Sequence, residues 1–161
     1  DGLIDVVAEL KKRGVATELI VLGDGPDREH LEAHARDTNA RSVVHFMGRV
    51  TGDQMSRYLR AADVYALNTR FESFSFQTVE ALAYGCPVAV SAIGNLPEII
   101  EDGTNGVLLP PDDTEAWVGA LTRLLADPAY RAELARAGRE RAREFALERT
   151  LAQLEDLFHE L

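Results

Sequence analysis

The stretch Phe71-Glu72-Ser73-Phe74-Ser75-Phe76-Gln77-Thr78-Val79-Glu80-Ala81-Leu82-Ala83-Tyr84-Gly85-Cys86-Pro87-Val88-Ala89-Val90 decides how this chain is read. Residues 70–75 show no helical period and carry two serines, which reads as a loop. From Phe76 to Tyr84, the residues Phe76, Val79, Leu82 and Ala83 fall on one stripe, so a helix is predicted. Ser73 or Ser75 can cap it, and a buried strand follows. The first-turn N–H groups of such a helix point back toward the loop, and its macrodipole adds partial positive charge there, a seat for a diphosphate. Glu80 lies about four residues inside, roughly 6 Å along the axis, and Glu72 lies on the far side of the seat. Ionised carboxylates only accept hydrogen bonds, so two of them suit the donor hydroxyls of a sugar. The residues alone leave a second reading open, in which Glu72 and Glu80 are surface charges near a helix start.

Outward from this junction, strand and helix patterns alternate. Residues 1–13 read as a helix with Leu3, Ile4, Val7 and Leu10 on one face, ended by Gly14. A buried strand over 17–22 leads into the loop 23–27, and Pro26 opens a polar helix to about residue 37. A strand over 42–47, a helix over 52–61 and a strand over 63–67 reach the junction. Beyond it come an apolar run over 87–91, a short helix over 96–101 and a strand over 106–109. Thr114 is expected to cap a helix to about residue 125, followed by helices over 128–145 and 146–161. Leu147, Leu151, Leu154, Phe158 and Leu161 keep helix spacing in the last of these. This order predicts an α/β fold: a parallel sheet with helices on both faces. Ligands of such sheets sit at the carboxyl ends of the strands. Gly23, Gly48, Thr69 and Ser91 mark those ends, so the candidate residues converge on one edge.

The junction resembles the donor-binding signature of retaining, family 4 glycosyltransferases of the glycogen-synthase and sucrose-synthase-like group, which have a GT-B fold. That signature is carried by Glu72, Glu80, Ala81, Ala83, Gly85, Pro87 and Val88. Gly94-Asn95-Leu96-Pro97-Glu98 resembles the family's glycine-proline-glutamate turn, and residues 101–113 its following glycine-turn strand. Leu22-Gly23-Asp24-Gly25-Pro26 and Val44-His45-Phe46-Met47-Gly48-Arg49-Val50 fit as well, so the likeness covers about residues 1–145. It implies a Rossmann-like C-terminal half of a GT-B fold, one domain over residues 1–161, binding a nucleotide-diphosphate sugar. Glu72 would contact the donor sugar hydroxyls as the catalytic-site acid, and Glu80 would accept from the ribose. Ser73, Phe74, Ser75, Phe76, Gln77 and Thr78 would line sugar and diphosphate, and Arg49 and Val50 the base. Relatives often carry glycine at positions 73 and 75, so Ser73 and Ser75 are expected to alter sugar choice or shift the phosphate. The family's Arg and Lys for the diphosphate precede a first helix, where this chain begins. A first strand is therefore expected to be missing from the sheet centre, between the strands at 17–22 and 63–67, and an N-terminal domain to bind the acceptor sugar or lipid. The resemblance implies no metal and no cofactor beyond the donor, and a cytoplasmic protein able to sit at the inner membrane face. A non-catalytic nucleotide-sugar binding module and a sugar-nucleotide epimerase of the same fold are the alternatives.

The 161 residues suffice for one domain with its own core. A net charge of −10 excludes a nucleic-acid binder built on basic clusters. No apolar run approaches the ~20 residues of a membrane span. The single Cys86 excludes an internal disulfide framework and reads as a packed residue. His30 and His34 have the spacing of two helical metal ligands but lack an evident third. His45 reads as packed or hydrogen-bonded. Gly23-Asp24-Gly25 lacks the third glycine of a dinucleotide fingerprint, where Arg28 stands. Arg131, Arg136, Arg139, Arg141, Arg143 and Arg149, interleaved with glutamates, read as a solvated helix surface.

Overall fold

The computed structural model describes residues 1–146, 149, 151 and 158. Its elements run α1 Gly2–Lys12, β1 Leu19–Leu22, α2 Arg28–Asp37, β2 Val44–Gly48, α3 Gly52–Ala61, β3 Tyr65–Leu67 and α4 Phe76–Tyr84. There follow β4 Val88–Ser91, α5 Leu96–Ile99, β5 Val107–Leu109, α6 Thr114–Ala126, α7 Pro128–Ala142 and a 3-10 turn at Arg143–Phe145. The helix expected over 146–161 falls almost wholly outside the described residues. The 128–145 helix is shorter than expected, because its last turn tightens to 3-10.

All named strand pairs are parallel, but they form two sheets, β1–β2 and β3–β4–β5. The break falls between β1 and β3, where the sequence leads one to expect a gap. One helix holds both pieces. Ile4 and Val7 of α1 pack with Leu19, Val21 and Val44 of the smaller sheet. Val6 and Leu10, turned about a quarter of the helix away, pack with Ala66, Ala89 and Trp117. Val6 therefore belongs to the buried face, and Leu3 does so only in part. The inner edge of β1 has no strand partner among the described residues. Ile20 is accordingly 42% exposed, so β1 is half-buried rather than the buried strand expected.

β4 sits at the centre of the larger sheet and is buried throughout. Ala89 faces α1 and α6, while Val88 and Val90 face the cluster of Leu59, Ala81, Leu82, Leu96 and Ile99 from α3, α4 and α5. Helices thus cover both faces, as a sheet of apolar parallel strands requires. α6 is capped by Asp113, whose side chain accepts from the Ala116 N–H at 3.0 Å, and not by Thr114. Asp112, Asp113 and Thr114 are all capping residue types, so composition alone does not choose among them.

Candidate functional site

The segment 68–75 connects the carboxyl end of β3 to α4. Its start is tied to β4: Ser91 Oγ accepts from the Thr69 N–H at 2.9 Å and donates to the Leu67 carbonyl at 3.4 Å. Its end is the cap of α4, where Ser75 Oγ accepts from the Thr78 N–H at 3.3 Å. Gly85, at φ +73°, closes the helix in the left-handed conformation that suits glycine. The middle of the segment rests on the turn before α5. Gly94, at φ +54°, lies so close to the Glu72 carbonyl that a Cβ there would sit 2.2 Å from its oxygen.

The expected helix is therefore present, with a different buried face. Thr78, Ala81 and Leu82 are buried, whereas Ala83 is exposed and Phe76 is 73% exposed. Phe74 is half-buried and meets Phe76 edge-on at 4.8 Å and Phe145 at 6.0 Å. Over nine residues a helical stripe can be drawn on more than one face; the sheet selects the one carrying Thr78.

Around the helix start, the amide N–H groups of Ser75 and Gln77 find no acceptor among the described residues, while those of Phe76, Thr78 and Val79 are taken by Phe74, Ser75 and Ser75. Glu72, half-buried, turns one carboxylate oxygen onto the Ser73 N–H at 3.1 Å. Ser73, Gln77 and Glu80 are exposed. No cation pairs with Glu72 or Glu80 among the described residues. Ser75 is the cap, one of the two serines expected to serve; the whole residue is 1% exposed, with its hydroxyl turned into the protein 2.8 Å from Thr78 Oγ1. Arg49 and Val50 stand at the same carboxyl edge, after β2 of the smaller sheet. Arg49 is exposed, and Gly48 before it turns at φ +72° beside the Arg28 guanidinium.

Residues that sequence reasoning did not single out complete the surroundings. Arg70 is exposed and holds Asp112 at 2.7 Å and 2.9 Å. Tyr65 of β3 is half-buried, and burial pushes its phenol up to about 12 against the downward pull of the neighbouring Thr78 and Ser75 side chains. Burial likewise pushes the Cys86 thiol up to about 11, as a packed cysteine should behave.

The rival sites resolve into structural contacts. His34 bonds Asp5 at 2.6 Å, His30 bonds Asp1, and His45 bonds Glu18. Among the described residues no group of three or more His, Cys, Asp or Glu is placed to hold a metal ion. The Gly23 N–H is bonded to the Gly48 carbonyl at 2.8 Å, which joins the ends of β1 and β2. Two arginines of the supposedly solvated run are clamps. Arg131 bonds the Leu124 and Leu125 carbonyls at the end of α6 and pairs with Asp63. Arg141 bonds the Ile99 carbonyl at 3.1 Å and that of Glu98.

The family model for glycosyl transferases group 1 matches residues 1–141. The chain belongs to the group 1 glycosyltransferases. It is 36% identical to a D-inositol 3-phosphate glycosyltransferase of Saccharomonospora viridis over 169 aligned positions, covering 99% of this chain and 39% of that protein. The chain thus spans about two fifths of the length of the curated relatives it matches. Among solved structures, sucrose-phosphate synthase from Thermosynechococcus elongatus superposes with a TM-score of 0.87 at 29% identity, covering 98% of this chain and 41% of that one. The C-terminal domain of a group 1 family glycosyltransferase, LpcC from Francisella tularensis, gives 0.76 at 25% identity, covering 88% of this chain and 76% of the domain. The α/β architecture with parallel strands is thus the Rossmann-like fold of GT-B proteins. No helix among the described residues of this group 1 chain is long and apolar enough to cross a membrane.

Proposed function

We propose that the chain is the donor-binding half of a retaining, family 4 glycosyltransferase, one that moves a hexose from a nucleotide-diphosphate sugar to an acceptor. The observation that carries this reading is the open start of α4. The exposed Gln77 carries an amide with no acceptor among the described residues; Glu72 precedes that start and Glu80 lies about one turn inside, neither paired with a cation among the described residues. Amides at a helix start hold phosphate, and acceptor-only carboxylates hold hydroxyls. Glu72 contacts the donor sugar and Glu80 the ribose. Ser73, Phe74 and Phe76 flank the diphosphate, Thr78 being fully buried, and Arg49 and Val50 flank the base. The likeness to an isolated C-terminal domain supports assigning the acceptor site, for a sugar or a lipid at a membrane face, to another part of the protein.

In this reading the acceptor oxygen forms its bond to the anomeric carbon on the face from which the phosphate departs. The carbon–phosphate-oxygen bond breaks, and the acceptor proton passes to a leaving phosphate oxygen. No side-chain nucleophile is required, and charge developing on the diphosphate is met by fixed backbone dipoles without a metal. Glu72→Gln in the full-length protein tests the reading. With UDP-, GDP- and ADP-sugars as donors, turnover should fall on the order of 100-fold or more, while nucleoside diphosphate binding stays within a few-fold. Ordinary turnover by this variant removes Glu72 from the sugar site.

A further inference from the structure

Three aromatic rings run from the end of α7 out to the exposed start of α4. Phe145, the last residue of the 3-10 turn after α7, meets Phe74 edge-on, with centroids 6.0 Å apart and planes at 61°. Phe74 in turn meets Phe76 at 4.8 Å and 64°. Both pairs have the separation and tilt of attractive aromatic contacts. Phe145 and Phe74 are half-buried and pack against the core cluster of α3, α4 and α5, whereas Phe76 is 73% exposed. The backbone follows the rings, because the Phe76 N–H donates to the Phe74 carbonyl at 3.2 Å. Phe74 thus fixes the residue that opens α4. The next amide, that of the exposed Gln77, is one without an acceptor among the described residues.

Phe145 is itself held. The Arg141 guanidinium lies 5.1 Å from the centre of its ring, and it donates to the Ile99 carbonyl at 3.1 Å and to that of Glu98. Those carbonyls end α5, which starts just after the Gly94 turn that abuts the Glu72 carbonyl. α7 also lies hard against α4, since a Cβ at Gly138 would sit 2.8 Å from Leu82 Cδ2. The Glu72 segment is therefore gripped at two points, Glu72 by the Gly94 turn and Phe74 by Phe145, and Arg141 joins the two grips. Without a ring at position 145, Phe74 loses its contact on the α7 side and can shift, carrying Phe76 with it.

We propose that Phe145 is a positioning residue for the donor diphosphate, acting through Phe74 to set the start of α4 where Phe76 and the Gln77 amide are exposed. This rests on the reading of that start as the donor site.

Calorimetry on the full-length protein tests it, with whichever of UDP, GDP and ADP the parent binds tightest, at a temperature where circular dichroism shows every variant folded. Phe145→Leu and Phe74→Leu each remove one ring and keep an apolar side chain. Leu134→Val trims a buried residue of α7 that packs in the other core cluster, on α6 and α1. Each ring deletion should weaken the diphosphate by roughly two- to tenfold, the weight of one aromatic pair. The double variant should lose less than the product of the two single losses, because the pair is already broken, and Leu134→Val should bind as the parent does. Parent-like affinity in Phe145→Leu overturns the proposal. So does a double variant whose loss equals that product, since the rings then act separately. So does an equal loss in Leu134→Val, since affinity then only follows stability. A parent that binds none of the three diphosphates overturns the donor reading itself, and the proposal with it.

Discussion

Gly94→Ala bears most directly on how the site is held. Gly94 has φ +54°, a backbone conformation that strains any L side chain. A left-handed residue with a Cβ costs about 1–2 kcal/mol. The second effect is steric: the new Cβ would lie 2.2 Å from the Glu72 carbonyl oxygen and 3.3 Å from its carbon, where ordinary contact begins at 3.4 Å. Both atoms are backbone, so neither can rotate aside as a side chain would. The Glu72 segment must retreat by roughly 1 Å or the turn before α5 must deform, at about 1–3 kcal/mol for overpacking. A displacement of that size in a substrate-positioning group can lower the rate about 100-fold.

Gly103 supplies the control. It has φ +74° with nothing within 4 Å of a built Cβ, so Gly103→Ala carries the conformational strain without the collision. The expected result in the full-length enzyme is a kcat/KM for the sugar nucleotide reduced on the order of 100-fold in Gly94→Ala and nearly unchanged in Gly103→Ala. Both variants should melt earlier than the parent. Steady-state release of the nucleoside diphosphate, measured below both melting temperatures, gives the comparison. If Gly94→Ala turns over as fast as Gly103→Ala, the contact between Gly94 and Glu72 does not position the acid, and the reasoning fails.

Gly106→Ala would place a Cβ 2.5 Å from Val88 Cγ2 and 3.0 Å from Ile100 Cγ2. It should destabilise the chain by about 1–3 kcal/mol, and a urea midpoint equal to the parent's would contradict that. Alkali should unfold the protein partly through Cys86, whose folded thiol is raised from 9.0 to about 11. A raised pKa means that the folded state holds the proton more tightly. Its contribution is full below pH 9.0 and is lost as pH climbs toward about 11. Cys86→Ala should therefore show a flatter fall in stability between those values, and parallel curves for variant and parent would refute the assignment. Exchange at β1 tests the break in the sheet. Leu19 donates to the carbonyl of Val43, just before β2, so strand alternation turns the Ile20 and Leu22 N–H groups toward the unpaired edge. By hydrogen exchange in the 161-residue chain, these two should exchange well before Leu19 and Val21; equal protection would mean that something pairs that edge.

The parts legible in the sequence were those encoded locally. The α4 boundaries follow from a serine cap at one end and a left-handed glycine at the other, and both lie within the segment. The parallel strands followed from alternation of strand and helix, and the break between β1 and β3 from a motif-based expectation. What stayed hidden depends on contacts between distant elements. Gly94 reads as a turn glycine, yet its narrow tolerance comes from a backbone 22 positions away. Arg131 and Arg141 sit in an alternating-charge helix that looks fully solvated, and only the fold brings carbonyls to them.

Ser75 is one of the two serines expected to cap α4, and the cap has a consequence for the ligand side. In three dimensions, an N-cap side chain must fold back onto its own helix to satisfy the first-turn amides. Ser75 does so, accepting from the Thr78 N–H with the whole residue 1% exposed, so its hydroxyl is turned inward. Any serine there trades ligand-facing polarity for a fixed helix start. What the sequence offered as a determinant of sugar choice is better understood as a brace. Under the proposed donor reading, selectivity falls to groups at the start of α4 and after β2 that are not buried: Glu72, Ser73, Phe76, Gln77 and Arg49.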